Sequence, residues 1–158
     1  MSSEGIIFDN FRVANNKVLL YDTSKIQLDK ANKFVNSLLE KEIAKGTLKL
    51  EEKDSIQKNF TFTDDLDTFK STNFVVEAAT EKFEVKQDIF KSLDQITNKN
   101  VILASNTSSI SITKIASSVS RPNKVIGMHF MNPVPVMKLV EVIRGLQTDE
   151  ETFSTTTK

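Results

Sequence analysis

Short apolar segments rich in β-branched residues alternate along the chain with longer segments of helical periodicity. This alternation is typical of βαβ units, in which helices cover a parallel sheet. The pattern therefore predicts the α/β class. The predicted strands are Lys17–Asp22, Phe60–Thr63, Phe74–Ala78, Val101–Ser105, Lys124–Phe130 and Lys138–Ile143.

The segments between the strands carry apolar residues at helical spacing. Ser24 and Gln27 predict a capping box at the start of the first long helix. The apolar stripe of that helix stops at Gly46, a residue type suited to the position after a helix end. Further helices are predicted over residues 50–58, 81–97 and 112–119.

The connection between the last two predicted strands has only about seven residues, too few for a parallel crossover, so the strands should pair antiparallel. With a loop over residues 131–137, His129 would face Leu139. Glu141 would then lie one diagonal step away on the same face, within reach of a long side chain. The pattern thus brings an imidazole and a carboxylate together.

A carboxylate beside an imidazole fixes its tautomer and stabilises the imidazolium, which prepares a general base. His129 is the only histidine of the chain. Glu141 lies in an apolar strand, where an unpaired carboxylate would be costly. The alternative is a histidine with a purely structural role.

Polar residues at strand ends are further candidates for binding. Ser105–Ser109 follow a buried strand, and open α/β sheets bind ligands at the carboxyl ends of their strands. These hydroxyls either bind a substrate oxygen or cap the next helix. Asp22, at the end of the first predicted strand, occupies the place of a ribose-binding acid or is a turn residue.

The composition limits the kinds of ligand and site that the chain can have. Lys plus Arg and Asp plus Glu both count 21, so no basic field attracts nucleic acid or anionic lipid. The absence of Cys and the single His argue against disulfides and multi-histidine metal sites, so we expect no metal. A chain of 158 residues suits one domain. We expect a soluble, intracellular protein without a transit peptide, in the mitochondrial matrix or the cytoplasm.

At this point the stretches SNTSSISI (105–112) and GMHFMNPVPVMKLVEVI (127–143) can be compared with known families. They closely resemble the 3-hydroxyacyl-CoA dehydrogenases of fatty-acid β-oxidation. KVLLYD, FVVEAATEKFEVKQDIF and VILASNTSS are similar to the same family in the same order, so the resemblance extends from about Gly5 to Gly145. It implies an oxidoreductase that uses NAD to oxidise L-3-hydroxyacyl-CoA to 3-ketoacyl-CoA.

The resemblance also implies roles for individual residues. His129 would be the base that takes the substrate hydroxyl proton, Glu141 its charge partner, and Ser108 a hydrogen-bond donor to the reacting oxygen. Glu81 and Lys86, which the pattern alone would place on a solvated helix face, would lie near the cofactor. The full implied set for binding is Asp22 on the adenosine ribose, Glu81, Lys86 and Asn132 near the nicotinamide half, and Ser37 on the coenzyme A part. The lysine that the family has seven residues after Ser37 is Ala44 in this sequence, and the adjacent Lys45 is the candidate in its place.

The sequence departs from the family in one motif: it contains no G-x-G-x-x-G turn. We therefore expect a Rossmann-like, mostly parallel sheet that lacks its first strand and dinucleotide loop, with an antiparallel strand near the C-terminus. Residues 1–150 would form a partial NAD-binding domain and residues 151–158 a frayed tail. The family's helical C-terminal domain, which carries a further catalytic Asn and most of the dimer contact, would be absent.

These departures leave three hypotheses. The chain is a working dehydrogenase, with another chain of the family as a partner that completes it. Alternatively, it is a non-catalytic remnant or binding partner with impaired NAD binding. A third possibility is that the sequence is itself incomplete at both ends.

Overall fold

The computed structural model describes residues 16–134, 137 and 139–158. The predicted similarity before Asn16, and Lys138 as the start of the last strand, lie outside the described residues. The chain divides into two compact units, of which the first ends at Leu66 and the second begins at Asp67. Each unit has its own sheet.

The first unit consists of β1 (Val18–Tyr21), α1 (Lys25–Ala44), α2 (Leu50–Gln57) and β2 (Phe60–Thr63). The strands β1 and β2 pair in parallel, as predicted for a βαβ unit. Its core consists of Val35 and Leu39 on α1 and Leu48 after it, with Phe60 and Phe62 of β2 packed against them. Helical spacing of the apolar residues thus places one face of α1 on the core.

The two ends of α1 differ in how well the sequence predicts them. Ser24 is the residue before the helix, but its side chain makes no capping hydrogen bond, so the predicted capping box with Gln27 is wrong. Instead the backbone N–H of Ser24 donates to Oδ1 of Asp22 at 2.8 Å, an Asx-type turn. At the other end, Gly46 has a φ of 73°, and its predicted position after the helix is confirmed.

The second unit contains a four-stranded sheet in the order β3-β4-β5-β6. β3, β4 and β5 are parallel, and β6 is antiparallel to β5. All residues of β4 are buried, as expected for a central parallel strand. The elements are β3 (Phe74–Glu77), α3 (Phe83–Ile96), β4 (Ile102–Ser105), α4 (Ile112–Ala116), β5 (Val125–Phe130), β6 (Val140–Arg144) and α5 (Glu150–Thr156), with 3₁₀ helices at Leu66–Ser71 and Pro122–Lys124.

The prediction of a mostly parallel α/β fold with an antiparallel strand near the C-terminus is confirmed. The carboxyl ends of β3, β4 and β5 lie along one edge of the sheet, because these strands run in the same direction. Glu77, Ser105 and Phe130 are the last residues of the three strands. This edge is where the predicted site residues of the second unit should lie.

Two predictions for the C-terminal part are wrong. The last strand begins at Val140, and His129 pairs directly with Glu141 instead of with Leu139. The tail predicted to be frayed forms α5, because the Asp149 side chain accepts from the N–H of Thr152 and caps the helix. Thr152 is fully buried. Nowhere in the described ranges is a helix both long enough and apolar enough to cross a membrane.

Candidate active site

His129 and Glu141 are direct partners across β5 and β6. Nδ1 of His129 lies 2.9 Å from Oε2 of Glu141, within hydrogen-bond distance. When Glu141 is ionised, Nδ1–H of the neutral imidazole donates to it, which leaves Nε2 with a lone pair. The side chain of His129 is 22 % exposed, so solvent or a ligand can approach the ring. The predicted proximity of these two residues is confirmed.

A glycine on the same face allows the two strands to pack this closely. Gly127 pairs with Ile143, two residues along the ladder from the pair of His129 and Glu141. A Cβ at Gly127 would lie 2.9 Å from Cβ of Ile143 and 3.0 Å from Ile112 of α4. The register that aligns His129 with Glu141 therefore needs glycine at this position.

The loop after β4 lies beside the end of β5. Asn106 accepts a hydrogen bond from the backbone N–H of Phe130 through Oδ1 at 3.0 Å. Its own N–H donates to the backbone oxygen of Glu77 at 2.7 Å. Asn106 thus joins the carboxyl ends of three strands and holds the loop that carries Ser108 at the same edge as His129.

The structure shows which hydroxyl near this loop caps the next helix. Ser111 caps α4, because its side chain accepts from the N–H of Lys114. Ser108 is exposed, and its hydroxyl lies 3.4 Å from Oε1 of Glu81. The capping role therefore belongs to Ser111, and the hydroxyl of Ser108 makes only a long hydrogen bond, of 3.4 Å, to Glu81 at the strand ends.

Oε1 of Glu81 accepts several hydrogen bonds from the loop after β4. The backbone N–H groups of Ser108 and Ser109 donate to it at 3.0 and 3.1 Å, and the hydroxyl of Ser109 donates at 3.0 Å. The hydroxyl of Thr107 donates to the same oxygen. Burial raises the pKa of Glu81, but these hydrogen bonds and the charge of Lys86 outweigh it, so that the pKa lies below its ordinary value of 4.5. Glu81 is thus held as a carboxylate.

Lys86 is fully buried, so the reading of its position as a solvated helix face is wrong. Its Nζ lies 2.8 and 3.0 Å from the two carboxylate oxygens of Glu77 and 3.2 Å from the backbone oxygen of Ala79. Nζ is also 3.7 Å from Oε2 of Glu81. Burying an ammonium is costly without such partners, and Lys86 has an anionic one.

The sequence pattern did not single out Glu77. The motif FVVEA contained a signal, since an acid at the end of an apolar strand needs a partner. That partner, Lys86, follows nine residues later, one turn into α3. Ser105 also donates to Glu77, with its hydroxyl 2.6 Å from Oε2.

Of the remaining predicted residues, one lies in the second unit and three lie in the first. Asn132 is exposed in the connection after β5. Asp22 directly follows β1 in the first unit, and its Oδ1 accepts a hydrogen bond from the N–H of Ser24. Ser37 is half-buried on α1, and Lys45 is exposed at its C-terminal end, 3.6 Å from Glu42.

Comparison with known proteins identifies this arrangement with one family. The family model for the NAD-binding domain of 3-hydroxyacyl-CoA dehydrogenases matches residues 5–158. The 3-hydroxybutyryl-CoA dehydrogenase of Clostridioides difficile is 42% identical over 149 residues, which cover 94% of this chain and 53% of the relative. A probable 3-hydroxybutyryl-CoA dehydrogenase of Bacillus subtilis is 44% identical over 135 residues, covering 85% and 47%.

A solved structure supports the same family. The crystal structure of (S)-3-hydroxybutyryl-CoA dehydrogenase from Ralstonia eutropha has a TM-score of 0.85 and 46% identity, covering 89% of this chain and 50% of that one. The chain spans about half the length of the curated relatives it matches. With a family model that matches nearly the whole sequence, the chain belongs to the 3-hydroxyacyl-CoA dehydrogenase family, in the part that forms its NAD-binding domain.

Proposed function

We propose that this chain takes part in the NAD-dependent oxidation of L-3-hydroxyacyl-CoA to 3-ketoacyl-CoA, with His129 as the general base. The observation that carries the proposal is the 2.9 Å contact between Nδ1 of His129 and Oε2 of Glu141. This contact leaves Nε2 as the basic nitrogen and provides a carboxylate to stabilise the imidazolium. Membership of the dehydrogenase family and the matched relatives support the same reaction.

In the proposed reaction, Nε2 of His129 accepts the proton of the substrate hydroxyl as the carbon–oxygen bond becomes a carbonyl. Glu141 stabilises the resulting imidazolium through Nδ1–H. Ser108 donates a hydrogen bond to the reacting oxygen, for which its exposure at the strand ends is suited. In the reverse direction, the imidazolium returns the proton to the oxygen.

NAD, when bound, supplies the acceptor for the hydride that leaves the substrate carbon. Asp22 fits the proposed contact with the adenosine ribose, because it follows a strand of a parallel pair and its backbone N–H extends the ladder to Thr63 at 3.3 Å. Glu81 and Asn132 are exposed and can contact the nicotinamide half. Lys86 is fully buried, so we assign it an indirect role through Glu81.

The proposal extends to the substrate and to partners. Residues 1–150 would form a partial NAD-binding domain, and Ser37 and Lys45 on the first unit would contact the coenzyme A part of an acyl-CoA. The fatty acid oxidation complex subunit alpha of Acinetobacter baumannii, 38% identical, places a relative in fatty-acid oxidation. This chain covers 19% of that relative, which favours a partner domain or chain.

The direct test is NADH binding to the purified chain, followed by fluorescence and repeated with acetoacetyl-CoA present. Saturable binding with consumption of NADH is the expected result. A folded chain that binds no NADH would contradict the proposal and favour the alternative of a non-catalytic binding partner. A His129→Gln variant that binds NADH but does not consume it separates cofactor binding from proton transfer.

A further inference from the structure

The buried ion pair of Glu77 and Lys86 connects three elements of the second unit. Glu77 ends β3, Lys86 lies in the first turn of α3, and Ser105 ends β4. Glu77 accepts hydrogen bonds from Lys86 Nζ at 2.8 and 3.0 Å, from Ser105 Oγ at 2.6 Å, and from the N–H of Ala79 at 2.5 Å. A carboxylate has about four acceptor sites, so Glu77 is saturated.

Lys86 is saturated as well. An ammonium has three donors, and Lys86 directs them to the two oxygens of Glu77 and to the backbone oxygen of Ala79. Both side chains are almost completely inaccessible to solvent, with 0 % and 2 % of their surface exposed. Neither group can therefore be a direct contact for a ligand, and the pair must act through its neighbours.

Two series of contacts connect the Glu77–Lys86 pair to the loop that carries Ser108. Through Ser105, Glu77 fixes the last residue of β4, from which the Ser108 loop departs. Through Lys86, it holds a positive charge 3.7 Å from Oε2 of Glu81, whose Oε1 accepts the backbone N–H groups of Ser108 and Ser109. Both routes end at the loop that carries the proposed oxygen donor.

We propose that Glu77 is a positioning residue, which sets the location of the Ser108 hydroxyl through Ser105 and through the Lys86–Glu81 link. The inference rests on the proposed function in so far as Ser108 is the donor to the substrate oxygen. Replacing Glu77 with Gln removes the counter-charge of Lys86 and turns amide donors towards it. Lys86 then attracts Glu81 more strongly, which draws Oε1 of Glu81 away from the loop.

The test compares Glu77→Gln with the wild-type chain by two readouts. The first is hydrogen exchange of the Ser108 and Ser109 amides, observed by NMR, which needs no catalytic activity. We expect faster exchange and shifted resonances in the variant. The second is steady-state reduction of acetoacetyl-CoA, in which kcat should fall roughly tenfold to a hundredfold while KM changes little, since a displaced reacting group slows the chemical step.

Asp94→Asn is the matched control, because Asp94 is a carboxylate that anchors the other end of α3. It accepts from the N–H of Ser120 at 2.8 Å and pairs with Lys99 at 3.2 Å. This variant should lose stability but leave the Ser108 and Ser109 amides unchanged. Ser105→Ala is the milder companion variant: it removes one hydrogen bond to Glu77, keeps the ion pair, and should change the amides in the same direction to a smaller extent.

The outcomes distinguish the two proposals. A wild-type chain that does not consume NADH would contradict the proposed function, while the amide exchange would still test the positioning. Folded Glu77→Gln with wild-type exchange at Ser108 and Ser109 would overturn the positioning role. If Glu77→Gln does not fold, Ser105→Ala decides: altered exchange of both amides supports the role, and unaltered exchange overturns it.

Discussion

Nδ1 of His129 lies 2.9 Å from Oε2 of Glu141, and the two residues are direct partners in the ladder between β5 and β6. The backbone pairing therefore determines the side-chain contact. Because Glu141 contacts Nδ1 directly, this hydrogen bond orients the imidazole before any ligand binds. Preorganisation of this kind lowers the cost of orienting the base during reaction.

We expect Glu141→Gln to lower kcat for acetoacetyl-CoA reduction while KM changes little. A hydrogen bond to a charged group contributes about 1.5–3 kcal/mol, and each ~1.4 kcal/mol corresponds to about tenfold in rate. The expected loss is therefore about tenfold to a hundredfold. Steady-state kinetics measure it, and circular dichroism controls for folding. A variant with wild-type kcat would show that Glu141 does not assist His129.

The close approach of β5 and β6 at Gly127 predicts that a larger residue there lowers both stability and kcat. Gly127→Ala would place a Cβ 2.9 Å from Cβ of Ile143, which forces the strands apart. Overpacking of this kind costs about 1–3 kcal/mol. Denaturant unfolding should therefore show a lower free energy of unfolding, and kcat should fall because Glu141 moves with β6. Unchanged stability would contradict the proposed steric limit.

The lowered pKa of Asp94 predicts how the free energy of unfolding depends on pH. Burial raises its pKa, but hydrogen bonds from Ser120 and Lys99 outweigh burial and lower the pKa below its ordinary value of 3.8. A carboxyl with a lowered folded-state pKa stabilises the protein above its unfolded-state pKa, and this stabilisation is lost as the pH falls through the folded-state value. The stabilisation by Asp94 should therefore be complete at neutral pH, begin to decline near pH 4, and be lost as the pH falls through the lower folded-state pKa.

The measurement compares the unfolding free energies of wild-type protein and Asp94→Asn across this range. Their difference should be largest near neutral pH and should shrink as the pH decreases below 3.8. A difference that stays constant with pH would show that the charge of Asp94 does not contribute.

The cap of α5 provides a prediction for the C-terminal segment. Asp149 accepts from the N–H of Thr152 at 2.7 Å and from Nδ2 of Asn123 at 2.8 Å. Replacing a helix cap by Ala costs about 1 kcal/mol. Asp149→Ala should lower the free energy of unfolding by at least that amount, because it also removes the contacts with Asn123 and Lys124. Glu150→Ala, which removes an exposed pair with Arg144, is the control and should cost only a few tenths of a kcal/mol.

The sequence predicts the strands well where they are short apolar runs between clear breaks. The run Phe60–Thr63 is a strand with the predicted bounds, and the helix end at Gly46 is correct, because φ at that residue requires glycine. The register of the last two strands was wrong by two residues, since the length of their connection cannot be read from the pattern. A shift of two residues keeps the same face of a strand, which is why Glu141 still reaches His129.

The sequence was less informative where contacts between distant segments determine whether a residue is buried or ordered. Lys86 has the spacing of a solvated position, and only the fold brings Glu77 to it. The C-terminal segment TFSTTTK is polar, so it was predicted to fray, although Asp149 and the acidic residues after it are a helix start signal. Thr152 adds to the stability of this helix, because its hydroxyl donates to the backbone oxygen of Asn123 at 3.0 Å.

The most direct test of the proposed function is the oxidation of NADH by acetoacetyl-CoA, measured side by side for the wild-type chain and His129→Gln. A general base or acid contributes about 10²–10⁴-fold to the rate. We predict that the wild-type chain consumes NADH, and that the variant binds NADH with similar affinity but is slower by about this factor. Equal rates in both proteins would contradict the assignment of His129 as the base.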